Sequence, residues 1–129
     1  MNTDLRTFRL VCPPKDVEAV EELLRAQGFE FRPEPFYSMA RILEKEPFPL
    51  GESVAARFGR IYIQDRSSML PPLMLAPEKG EVVLDMCAAP GSKTGLLARL
   101  VGRDGFVLAS EPSSDRLALL RQTFARYRL

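Results

Sequence analysis

The sequence predicts an α/β protein in two parts, a small α+β module followed by strands and helices in strict alternation. Three observations predict it. Val82-Val83-Leu84 is a short apolar run that passes through the small-residue stretch Cys87-Ala88-Ala89-Pro90-Gly91 into a helical pattern at Leu96, Leu97, Leu100 and Val101. Phe106 to Ala109 repeats the arrangement and runs past Glu111-Pro112 into a second helix. Residues 1–58 read differently, as strand, helix, strand, strand.

In the first part, Thr7 to Val11 alternates as a strand does. Pro13-Pro14 then opens a helix whose apolar face is Val17, Val20, Leu23 and Leu24, with Gly28 as its stop. Phe29 to Phe31 and Met39 to Leu43 read as further strands, with Pro33 and Pro35 between them, and Pro47, Pro49 and Gly51 mark a loop. This order suggests half of a ferredoxin-like or RNA-recognition-like module. Residues 59–80 read as a connecting strand and helix. Gly59 to Gln64 alternates, and Asp65 or Ser67 can cap a helix through Leu73, Met74 and Leu75, with Pro71 and Pro72 expected in its first turn.

Residues 81–129 form the second part. Glu81 to Asp85 is a strand, the loop and helix follow, and Gly102 and Gly105 bracket a turn into the strand Phe106 to Ala109. Ser113 or Ser114 then caps a last helix with Leu117, Leu120, Phe124 and Tyr127 on one face. Strand–helix–strand–helix implies a parallel sheet with right-handed crossovers. Val82-Val83-Leu84 is apolar at every position, as in a central strand covered on both faces, yet only one parallel partner is legible.

Composition bounds the function without naming it. The 129 residues, 46% hydrophobic and 27% charged, fit one soluble domain or two small ones sharing a core. No run of about 18 apolar residues exists to span a membrane. Met1-Asn2-Thr3-Asp4 has neither the basic nor the apolar part of a secretion signal, so a cytoplasmic protein is expected. Cys12 and Cys87 could pair, but reduced thiols are the expected state, and no metal site is expected. Residues 1–52 carry seven Lys/Arg against ten Asp/Glu, and residues 53–129 carry eleven against seven. The basic second part fits an anionic partner as well as a solvated surface.

The chemistry concentrates in Asp85 to Thr94, D-M-C-A-A-P-G-S-K-T. A phosphate-binding loop needs G-x-x-x-x-G-K-[ST], and Cys87 and Ser92 stand at both glycine positions. The dinucleotide pattern G-x-G-x-x-G is not met either. An S-adenosylmethionine loop, D-x-G-x-G-x-G with small residues allowed for glycine, places Cys87, Ala89 and Gly91 in its three small positions. The small side chains at Ala88, Ala89 and Gly91 would let backbone approach a ligand closely. Asp85, at the strand's end, can fix the loop or face the cofactor's ammonium group. Glu111 follows the second strand directly, where a carboxylate can accept both ribose hydroxyls of an adenosine; as a surface carboxylate it would also suit the nearby helix N-terminus.

Y-I-Q-D-R-S-S-M-L followed by V-V-L-D-M-C-A-A-P-G-S-K-T resembles the Sun (Fmu) family of RNA 5-methylcytosine methyltransferases. The resemblance runs weakly from about Phe8 and strongly from Gly59 onward. It implies an RNA-recognition-like module joined to the N-terminal part of a Rossmann-like methyltransferase domain, with S-adenosylmethionine as cofactor and RNA, ribosomal RNA first, as partner. By this resemblance Cys87, Ala88, Ala89, Pro90, Gly91, Ser92 and Lys93 line the cofactor site, Lys93 lies near the cofactor's carboxylate, and Glu111 holds the ribose. Arg60, Gln64 and Ser68 lie where RNA is expected to cross.

The sequence also departs from that family. Methylating carbon 5 of cytosine requires a thiolate to add at carbon 6. The family carries its cysteines in Pro-Cys and Thr-Cys pairs on later strands, and this chain has neither pair. No catalytic residue is therefore expected within it, and the nucleophilic cysteine is expected beyond Leu129. The alternative is a non-catalytic RNA-binding or interaction fragment that keeps the loop as scaffold. The unpartnered strand Val82–Leu84 leads to an expectation of self-association.

Overall fold

The computed structural model describes residues 5–129. Met1 to Asp4, on which the reading of no secretion signal rests, lie outside the described residues. The chain is α/β, and it divides into two compact units at Asp65/Arg66. Among the described residues no helix is long and apolar enough to cross a membrane.

The first unit holds strands β1 (Thr7–Leu10), β2 (Glu30–Pro33), β3 (Ala40–Lys45) and β4 (Ile61–Ile63), with helices α1 (Val17–Ala26) and α2 (Val54–Arg57). The sheet is antiparallel in the order β2-β3-β1-β4. Phe8, Leu10, Leu43 and Ile61 pack on Val20 and Leu24 of α1 and on Ala55 and Ala56 of α2. The β1-α1-β2-β3-α2-β4 order is a complete ferredoxin-like arrangement rather than half of one. The difference lies in two short elements. α2, capped by Ser53 through the Ala56 N–H, is four residues long, and β4 pairs with β1 in the register Arg9↔Tyr62. Ile61–Ile63 thereby closes the first sheet instead of serving as a connector.

The second unit begins with α3 (Arg66–Leu75). Pro71 and Pro72 sit inside this helix, beyond the first turn that the sequence suggests for them. Neither can donate to the carbonyls of Ser67 and Ser68, so the helix loses two bonds of its ladder there. It ends at Ala76, in the left-handed region with φ 48°. Strands β5 (Val82–Asp85) and β6 (Phe106–Ala109) pair in parallel, Val82↔Phe106 through Asp85↔Ala109, as the alternation predicts. Helices α4 (Ser92–Val101) and α5 (Ser114–Tyr127) follow the two strands, and Ser113 caps α5 by accepting from the Arg116 N–H. At the far end of α5, Arg128 adopts a φ of 53° and the Leu129 N–H donates to the Phe124 carbonyl at 3.0 Å.

The central-strand expectation for Val82-Val83-Leu84 is only half met. Among the described residues β5 pairs with β6 alone. Val82, Leu84, Phe106 and Leu108, opposite one another in register, form a face on which each side chain is more than half exposed.

Candidate functional site

The loop between β5 and α4 is held from within and from below. Asp85, where β5 ends, accepts the Cys87 N–H at 3.2 Å on one carboxylate oxygen and the Thr94 hydroxyl at 2.6 Å on the other. Thr94 is buried and also donates towards the Ala88 carbonyl at 3.3 Å. This one carboxylate therefore ties the loop's start to the first turn of α4. Of the two roles open to Asp85 in sequence, the structure displays loop fixation.

The small residues of the loop face inward. Ala88 and Ala89 are buried in a cluster with Leu120, against which Ala109, Leu117 and Phe124 pack. Gly91, at φ +108°, has its bare Cα directed at α5: a Cβ there would stand 2.9 Å from Thr123 Cγ2 and 3.1 Å from Leu120 Cδ1. Close packing of the loop on α5 requires their small size. Pro90 is exposed between them, after a cis Ala89–Pro90 peptide.

Glu111 comes from the other strand to the same loop. Its Oε2 accepts the Ala89 N–H at 3.4 Å, its Oε1 accepts the Ser113 N–H at 3.1 Å, and its side chain is 1% exposed. Arg116, one turn into α5, donates to the Ala89 carbonyl at 2.8 Å and places its second guanidinium nitrogen 3.7 Å from Glu111. Sequence reasoning misses both Thr94 and Arg116. Thr94 closes the motif and could be found by asking what satisfies Asp85. Nothing in the sequence signals that Arg116 meets Ala89.

The outer side of the loop is open. Met86, Cys87 and Lys93 are exposed and, with Asp85, Pro71, Pro72, Leu75, Val83, Leu84 and Leu97, line a hollow of about 290 Å³. The ladder of α4 starts with the Gly95 N–H on the Gly91 carbonyl, so the amide groups of its first turn precede the helix's own bonding. Apolar walls, first-turn amides, a cation at Lys93 and a carboxylate at Asp85 are a donor set that fits a zwitterionic amino-acid nucleoside. Ser92, half-buried, opens α4 within this stretch. Arg60 and Gln64 belong to the first unit and Ser68 to the second; Gln64 is buried and accepts from Arg9 Nε at 2.8 Å. Leu129 is exposed after α5 and does not line the hollow.

Comparison with known proteins places the chain in a family. The family described as "16S rRNA methyltransferase RsmB/F" matches residues 72–129. A ribosomal RNA small subunit methyltransferase F of Shewanella loihica is 37% identical over 110 residues, covering 81% of this chain and 23% of that protein. This chain belongs to the Sun (Fmu) family. A further relative, the tRNA (cytosine(49)-C(5))-methyltransferase of Pyrococcus abyssi, is 34% identical over 113 residues, 87% of this chain and 35% of its own length. The solved structure of a methyltransferase homologue from Pyrococcus horikoshii superposes with a TM-score of 0.86 at 37% identity, over 96% of this chain and 41% of that one. The chain thus spans about a quarter of the bacterial family members it matches.

Proposed function

We propose that this chain carries the RNA-contacting module and part of the S-adenosylmethionine site of an RNA cytosine-C5 methyltransferase, ribosomal RNA being the first substrate class to test. The observation that carries the reading is the doubly stapled loop, with Asp85 tied to Cys87 and Thr94, and Glu111 tied to Ala89. The names of the related rRNA and tRNA enzymes support the reaction and the substrate class.

In this reading the backbone from Cys87 to Ser92 lies along the cofactor, and Lys93 pairs with its carboxylate. When bound, the cofactor supplies a methyl group on a positively charged sulfur. Asp85 sets the loop's shape through its two hydrogen bonds. Glu111 acts as a staple, because both of its oxygens accept a backbone N–H and its side chain is 1% exposed, outside the lining of the hollow; a ribose contact would require the loop to shift.

The chain's own thiols do not suit the carbon-6 addition. Cys12 is buried in the first unit's core, and Cys87 is exposed in the cofactor loop. We therefore infer that neither thiol is the nucleophile and that the 129-residue chain alone transfers no methyl group. Incubation with methyl-labelled cofactor and a cytosine-containing ribosomal RNA tests this: no labelled 5-methylcytosine is expected. Label that forms and disappears in Cys87→Ser would make Cys87 the nucleophile and overturn the assignment.

A further inference from the structure

In an RNA-recognition-like module, bases stack on aromatic side chains of the two central strands, on the sheet face away from the helices. Here β1 and β3 offer Thr7, Arg9, Ala40 and Ile42 on that face, in the register Thr7↔Ile42 and Arg9↔Ala40. None is aromatic and all four are buried. Arg9 is held there by Gln64 at 2.8 Å and lies over the Tyr62 ring at 4.9 Å from its centroid. The two central strands therefore offer no aromatic side chain on that face for a base to stack on.

The turn between α2 and β4 offers what the sheet lacks. Arg57-Phe58-Gly59-Arg60 follows the buried Ala55 and Ala56 and precedes the buried Ile61, yet Phe58 is 76% exposed and both arginines are exposed. Their charge is uncommitted. Arg6, Arg25, Arg32, Arg41 and Lys45 of the same unit each pair with a glutamate, while among the described residues Arg57 and Arg60 form no ion pair.

The turn is also fixed in place. The Arg60 N–H donates to the Ala55 carbonyl at 2.8 Å, the Arg60 carbonyl accepts the Val11 N–H at 2.8 Å, and Gly59 supplies a φ of +63°. At the other end of α2, the Val54 N–H donates to the Gln27 side chain at 3.1 Å. An exposed aromatic ring on a hydrogen-bonded turn, flanked in sequence by two arginines that form no ion pair among the described residues, matches the two things a single-stranded nucleic acid presents, a base face and flanking phosphates.

We propose that Arg57, Phe58 and Arg60 form a single-stranded RNA contact, with one unstacked base on Phe58 and phosphates on the two arginines. This deepens the proposed function and rests on its RNA substrate. The ring's exposure means that its removal leaves the core intact.

The test is fluorescence anisotropy of the full 129-residue chain with a labelled single-stranded RNA of cytosine-containing sequence and with an abasic strand of the same length. Phe58→Ala is expected to weaken the base-bearing strand by roughly five- to a hundredfold, to leave the abasic strand within about twofold, and to be rescued by Phe58→Trp. Arg57→Ala and Arg60→Ala are each expected to weaken both strands and to reduce the salt slope by about 0.7. Wild-type binding that is indifferent to Phe58→Ala, or an equal loss on both strands, overturns the contact while the RNA reading stands. No salt-dependent binding by the wild-type chain overturns both.

Discussion

Gly91 rests on Thr123 so closely that a Cβ on Gly91 would come within 2.9 Å of the Thr123 methyl carbon. The loop that carries the family's motif is thus shaped by a helix that follows it in sequence. Gly91→Ala meets two obstacles, the contact with α5 and a φ of +108° that L-residues rarely adopt. A loss of about 1–3 kcal/mol in unfolding free energy is expected, measured by denaturant titration. Trimming the partner in Gly91→Ala/Thr123→Ala should restore only part of it, because the backbone conformation is unchanged.

Thr94 and Asp85 give the second prediction. Thr94→Val keeps the side chain's shape and removes the hydroxyl that reaches Asp85 at 2.6 Å. A part-buried carboxylate oxygen then loses its donor, which costs about 1–3 kcal/mol. Thr94→Ser retains the donor and should recover most of that stability. Equal stability of Thr94→Val and wild type would show that the bond contributes nothing.

Arg116 is expected to position the loop without touching ligand. Its removal in Arg116→Ala frees the Ala89 carbonyl and leaves Glu111, 1% exposed, without its neighbouring cation. Amide exchange at Ala89 should accelerate about tenfold or more, while exchange in β1 and β3 stays at wild-type rates. Unchanged exchange at Ala89 would show that Glu111 holds the loop unaided.

The second unit is legible in the sequence for a physical reason. β5, its loop, α4, β6 and α5 each carry their own signal: apolar runs, small-residue turns and a serine cap at Ser113 that needs only its immediate neighbours. The parallel orientation of the two strands follows from the alternation itself. What the sequence hides depends on contacts between distant segments. β4 has only three residues, and its place beside β1 is set by pairing such as Arg9↔Tyr62. α2 is too short to show a helical period. Asp65, one of the two caps the sequence offers for α3, directly precedes the helix, yet no apolar repeat marks its first turn, and Pro71 and Pro72 fall beyond that turn rather than in it. That Ala88, Ala89 and Gly91 pack on Leu120 and Thr123 is hidden for the same reason, because those partners lie on a later helix.

The open face of the second sheet predicts self-association. Val82, Leu84, Phe106 and Leu108 form a contiguous apolar patch beside a strand edge that is unpaired among the described residues. Sedimentation velocity of the 129-residue chain should show a weight-average mass that rises with concentration. Leu84→Lys/Leu108→Lys should move it towards the monomer. A concentration-independent monomer would contradict the exposure of this face in solution.

The central claim, that the loop of Asp85 to Lys93 with Glu111 is a cofactor site, is tested most directly by calorimetric titration of the purified chain with S-adenosylmethionine and with its demethylated product. Both should bind weakly. Asp85→Ala, which unfastens the loop from Cys87 and Thr94, and Glu111→Ala, which unfastens Ala89, should each abolish the heat. Binding that survives in both variants, or no binding by the wild-type chain at any accessible concentration, would contradict the assignment.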